Sequence, residues 1–271
     1  MFAFNITTML RNHCGTTFQG GSQSKLKMVA ASCYIPKDNI ERPLGDDAHF
    51  ICSEEQIIGV ADGVGSWHKK GVDGGEYARE FMKNSEIAVK YQAEGAICPK
   101  EVLKQAYLNT KAKGSSTACI LMLKEQGILK AVIVGDSGFL VFRENSVLIR
   151  SPVQQKSFNC PYQLGNSSGC DHPESAMEME IGVSPGDVVV VGTDGLFDNL
   201  YENEIVAVLK EKTKESVQPE ELAWTLTEMA YYISVDHGSF SPFAREAAGH
   251  HHVGGKTDDI TVIVAHIVSS S

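Results

Sequence analysis

The sequence predicts an α+β layered domain, and three observations carry that prediction. Short apolar runs of strand length arrive in blocks, and amphipathic stretches of helical period arrive in other blocks. The two do not alternate strictly, as they would in a parallel doubly wound sheet. At 42% hydrophobic and 21% charged over 271 residues, the composition is that of a globular chain able to bury a large core. No internal repeat or low-complexity linker interrupts it. One domain is therefore expected over residues 28–271, behind a flexible or targeting segment at 1–27.

The elements follow in order. Residues 56–61 form an apolar run bounded by acidic residues and glycine, as in a buried strand. Residues 73–92 carry Tyr77, Phe81, Ala88 and Tyr91 near helical spacing, with Asp73 placed to cap the first turn. A second helix is expected over 99–111, opened by Pro99, with Val102, Leu103, Ala106 and Tyr107 on one face. Strands are predicted at 117–123, 129–134, 139–143 and 147–150, the last two joined through Glu144 and Asn145 as a hairpin. Met177, Met179 and Ile181 alternate with Glu178 and Glu180, the pattern of a half-exposed strand. Residues 187–192 read as a buried strand, 202–212 and 219–234 as helices, and 260–268 as a last strand.

The totals exclude several classes. A net charge of −10 argues against a nucleic-acid binder, and no apolar run approaches the ~20 residues of a membrane helix. Seven scattered cysteines with no Cys-x-x-Cys pair argue against a disulfide framework or a thiolate zinc site, and for a reducing intracellular compartment. The first 37 residues hold Arg11, Lys25, Lys27 and Lys37 but no acid. That is compatible with an organelle transit peptide or with a disordered tail, which leaves cytoplasm and organelle both open.

The carboxylates are not scattered. Apolar runs end on Asp62-Gly63, on Asp136, and on Asp194-Gly195 with Asp198 one turn later. Asp46 and Asp47 precede another apolar stretch, and Asp258 and Asp259 stand before the last strand. Any one such junction is an ordinary turn. Five of them converging would repel one another unless cations neutralised them, and all-oxygen ligation suits magnesium or manganese rather than zinc. Two such ions sharing one aspartate, ~3.5–4 Å apart, can lower the pKa of a water and clamp phosphoryl oxygens. The glycines after Asp62 and Asp194 are expected to let the backbone turn sharply there.

The same residues resemble the metal-dependent type 2C protein phosphatase family. The matching stretches are Gly45-Asp46-Asp47-Ala48-His49, Val60-Ala61-Asp62-Gly63-Val64-Gly65, Ser116-Thr117-Ala118, Gly135-Asp136-Ser137, Thr193-Asp194-Gly195-Leu196-Phe197-Asp198 and Gly254-Gly255-Lys256-Thr257-Asp258-Asp259. Pro161-Tyr162-Gln163-Leu164-Gly165 and Ser241-Pro242-Phe243-Ala244 resemble the branch of the T-cell-activation homologues and their plant relatives. The resemblance implies a four-layer α-β-β-α sandwich of two antiparallel sheets, with a metal centre at one edge. It implies that Asp62 bridges two magnesium or manganese ions, that the Gly63 carbonyl binds one, and that Asp194 and Asp258 complete the other. Asp46 and Asp47 would act through waters, Asp136 with Asp194 would hold a weaker third ion, and Arg42 stands near the place of a phosphate-binding arginine. Catalysis is thus expected of Asp62, Asp194 and Asp258, on phosphoserine or phosphothreonine in a phosphoprotein, by a monomer.

Val64 departs from the family, standing where many members carry a histidine that protonates the leaving oxygen. His68, His49 or a water could replace it, the water being the better reading. The rival function is a catalytically weak or inactive binding or scaffold module. Other phosphoester hydrolases lack support: there is no Asp-x-Asp pair, no Cys-x5-Arg loop and no Gly-x4-Gly-Lys-Ser/Thr cradle. His250, His251 and His252 are consecutive and cannot all face one ion, so a solvated loop is expected.

Overall fold

The computed structural model describes residues 25–40, 42–92, 97–214, 217–249 and 252–270. Ten strands and six α-helices, in chain order, build the sandwich: β1 (Leu26–Ile35), β2 (Ala48–Cys52), β3 (Ile57–Ala61), α1 (Gly74–Tyr91), α2 (Pro99–Asn109), β4 (Ala118–Lys124), β5 (Ile128–Val134), β6 (Gly138–Arg143), β7 (Ser146–Arg150), β8 (Met177–Gly182), β9 (Val188–Gly192), α3 (Asp194–Phe197), α4 (Glu202–Lys214), α5 (Pro219–Val235), α6 (Pro242–Glu246) and β10 (Ile260–Ser269). Short bridges between other segments complete the pairing. One sheet runs β1-β10-β9-β6-β7 and the other β8-β5-β4-β3-β2, with every pair antiparallel.

Burial explains the sequence patterns. The sheets face each other through Val60, Leu121, Ile133, Phe139, Val141, Val191 and Ile263, an apolar slab closed to solvent. On the outer side of one sheet, α1 and α2 pack Tyr77, Phe81 and Leu103 onto Phe50, Ile120 and Val132. On the other, α4 and α5 pack Leu209, Leu222 and Leu226 onto Leu140, Val190, Val262 and Val264. Strands β4 and β9 are covered on both faces, so they read as unbroken apolar runs. Edge strands β7 and β8 alternate because one face meets water. The four-layer α-β-β-α order is the one the resemblance implies.

Local signals place the elements as expected. The Asp73 side chain caps α1 by accepting from the Gly75 N–H at 3.0 Å. Glu144 and Asn145 turn the β6–β7 hairpin with φ of 48° and 68°, as a two-residue turn requires. The expected list of elements needs correction. Strand β1, where no element was assigned, begins at Leu26 and pairs along its length with β10. Strand β2 and the short helices α3 and α6 lie where no element was assigned. The N-terminal reading of residues 1–27 falls, up to residue 24, outside the described residues. Among the described residues all six cysteines are unpaired, and no helix is long and apolar enough to cross a membrane.

Candidate metal centre

Strand register alone brings the acids to one edge. Ala48 pairs with Ala61, and Ala118 with Val134, so Asp46, Asp47, Asp62 and Asp136 leave the first sheet at the same end. Gly192 pairs with Val262, which sets Asp194 and Asp258 at the matching end of the second. Carboxylate oxygens of Asp62, Asp136 and Asp194 lie within 4.8 Å of one another.

Each acid is held from its backbone. The Asp62 N–H donates to Thr117 Oγ1 at 3.0 Å and its carbonyl accepts from the Thr117 N–H at 2.9 Å. Thr117 is tied in turn to Ser137 at 2.6 Å. Asp194 opens α3. Gly63 and Gly195 do not serve the sharp turns expected of them. A Cβ on Gly63 would strike the carbonyls of Asp46 and Gly74, and one on Gly195 would strike the carbonyl of Asp259. Both are glycine so that two chain segments can close on the acid cluster.

Divalent ions fit where buried carboxylate oxygens have no protein donor. Asp47 is 3% exposed; its Oδ2 accepts from Thr193 Oγ1 at 2.7 Å and Thr261 Oγ1 at 2.8 Å, while Oδ1 is buried with no partner. Asp136 Oδ1 and Asp194 Oδ1 are likewise buried and unpartnered. Buried carboxylate oxygens normally find donors, because an unsatisfied one costs several kcal/mol. Three at one edge of the sandwich, two of them on Asp136 and Asp194 of the tight trio, fit hard cations bound through oxygen. Burial, then the neighbouring charges, pushes Asp62 and Asp136 well above the usual carboxylate range; for both, Asp194 is the foremost of those neighbours. Asp47 is raised in the same way, by burial and then by Asp259, against the two threonine hydroxyls. Asp258 is pushed up to about 6 and Asp198 to about 7, burial again leading.

The remaining expected residues divide. Asp46 is saturated: Arg42 Nη1 donates to its Oδ2 at 2.9 Å and His68 Nε2 lies 3.0 Å from Oδ1. Arg42 is thus fixed by Asp46. Asp258 is not in the tight trio. Its Oδ1 accepts from the Asp259 N–H at 3.1 Å, and its Oδ2 lies 3.2 Å from Lys256 Nζ. Val64 donates its N–H to Ser115 at 2.9 Å and leaves an apolar side chain at the family's histidine position. His49 is turned away onto Ser32 Oγ at 2.9 Å. His252 bonds the Gly255 carbonyl at 3.1 Å; His250 and His251 fall outside the described residues.

Sequence reasoning missed Lys256, whose ammonium bonds Asp194 Oδ2 and Asp198 Oδ2 as well as Asp258. Asp259 stands among the junction acids without an expected role; it accepts from Tyr34 at 3.0 Å and from the backbone of Lys37 and Asp46 at 2.9 and 3.1 Å, stitching β1 to the loop before β2. A lysine two residues before an aspartate reads as surface; only the fold turns it inward.

The family model described as Protein phosphatase 2C matches residues 41–229. The chain is 47% identical over 90% of its length to "Probable protein phosphatase 2C 55" of Arabidopsis thaliana, and 46% identical over 94% to "Probable protein phosphatase 2C 80" of the same plant. It spans 53% and 64% of those two relatives. Among solved structures, the photosystem II phosphatase PBCP is similar at 33% identity with a TM-score of 0.84, over 90% of this chain and 100% of that one. With the motifs, the sandwich and the acid-lined edge in agreement, the chain belongs to the protein phosphatase 2C family.

Proposed function

We propose that the chain hydrolyses phosphoserine and phosphothreonine side chains of proteins, with magnesium or manganese and water, and without a covalent enzyme intermediate. Two ions when bound would lower the pKa of a water and offset the negative charge of the phosphoryl group. Asp62, the Gly63 carbonyl, Asp194 and Asp258 are the residues that would hold them, with Asp46 and Asp47 acting through waters and Asp136 alongside. The observation that carries this reading is the set of buried carboxylate oxygens on Asp47, Asp136 and Asp194 that meet no donor. Arg42, steered by Asp46, keeps further guanidinium N–H groups for a phosphate oxygen.

Val64 supplies no acid for the leaving oxygen, so a water does so, and the loss of a positioned side-chain acid predicts a slow enzyme. The same residue favours the second reading, a phosphatase-like module that binds phosphopeptides without turning them over. One assay separates them: phosphate release from phosphothreonine, phosphoserine and phosphotyrosine peptides with manganese, with chelator, and after Asp62→Asn. The enzyme predicts release with manganese alone, at least about a hundredfold loss in the variant, and little action on phosphotyrosine. Equal rates in all three conditions end the enzyme reading. Tight peptide binding without release establishes the module.

A further inference from the structure

Asp194 is split between two environments. Its Oδ1 is buried and unpartnered, and the residue belongs to the cluster with Asp62 and Asp136. Its Oδ2 is taken by the ammonium of Lys256, which also bonds Asp198 Oδ2 at 2.8 Å and lies 3.2 Å from Asp258 Oδ2. Three carboxylate oxygens, two from α3 and its C-cap and one from the loop before β10, therefore converge on one nitrogen, a tripod of hard oxygen donors that is already filled.

The lysine is built into this position. Its side chain is only 14% exposed, with the ammonium 5.2 Å from the centroid of the Phe243 ring, in the range of a cation–π contact. Its backbone is clamped by the buried Asn199, which accepts from the Lys256 N–H at 2.9 Å and donates to its carbonyl at 3.0 Å. Asn199 is itself anchored to the Gly195 carbonyl at 2.9 Å, one residue from Asp194. The clamp ties the backbone of Lys256 to the start of α3. A buried ammonium persists only where acids compensate its lost hydration, and here three do.

We propose that the Lys256 ammonium is the resident cation of the corner formed by Asp194, Asp198 and Asp258, standing where a third divalent ion would otherwise bind. The chain then holds two ions rather than three. Lys256 is a positioning residue: it fixes Asp194 so that Oδ1 faces the ions while Oδ2 is neutralised without metal. This rests on the two-ion reading of the centre under Proposed function.

The test counts ions. Wild type, Lys256→Met and Lys256→Arg are refolded and kept in manganese, so a variant that needs the ion to fold is still counted. Bound manganese is measured by native mass spectrometry and by electron paramagnetic resonance of the free ion. The expected result is two ions in wild type, three in Lys256→Met, where the tripod is vacated, and two in Lys256→Arg, which keeps the cation. Three ions in wild type, or the same number in wild type and Lys256→Met, overturns the proposal. No bound ion in wild type instead overturns the metal-centre reading beneath it.

Discussion

The apolar slab between the sheets and the acid-lined edge of the same sandwich are made by the same strands, yet they follow opposite rules. Within the slab, Phe139, Val141, Val191 and Ile263 gain from every atom removed from water. A residue or two beyond the strand ends, Asp62, Asp136 and Asp194 are brought out of water at a cost that only cations offset. The strands therefore act as a rigid frame that holds a cluster the chain would not otherwise tolerate. Stability is concentrated in one region and spent in the other.

Substitutions should consequently change stability in opposite directions. The largest effect is expected in the slab: Phe139→Ala should destabilise by about 3–5 kcal/mol in denaturant unfolding, with or without manganese, because it opens a cavity in a closed layer. A loss under 1 kcal/mol would break the contrast. At the edge, Asp62→Asn should raise stability in chelator by about 0.5–2 kcal/mol, since it removes a charge from a pocket of like charge, as functional sites commonly permit. A lower melting temperature of the variant in chelator would contradict that.

The smallest and most diagnostic effect is in pH. Asp258 and Asp198 stand at about 6 and about 7 in the folded chain against an ordinary 3.8, burial being the main cause. Acids raised on folding make the native state bind more protons than the unfolded one. Without metal, stability therefore falls as pH rises through those values, and manganese should flatten or reverse the slope. Melting temperatures in chelator from about pH 5 to about pH 8 check the sign. A rise over that window would show that these acids are not destabilising.

The slab was far more legible in the sequence than the edge. Strands β4, β5 and β9 are apolar on both faces and announced themselves, and Asp73 marked the start of α1. Strand β1 did not, because only Met28 and Ala31 along its ten residues are buried, so neither a fully buried run nor a strict alternation marks it. Helix α3 leaves no periodic signal because it is only four residues long. At the edge, the identity of the acids was readable from their place at strand ends, but their partners were not. That Asp46 is saturated by Arg42 and His68, that Asp47 is pinned by Thr193 and Thr261, and that Lys256 turns inward onto Asp194 are all contacts between segments remote in the chain. No local pattern encodes such contacts; they exist once the two sheets face each other.

The central claim is that the gathered carboxylates form a cation site. Anomalous diffraction from crystals grown with manganese tests it most directly. The account predicts a manganese peak within coordination distance of Asp62 and Asp194. A well-ordered pocket at saturating manganese with no peak beside those two side chains would contradict it.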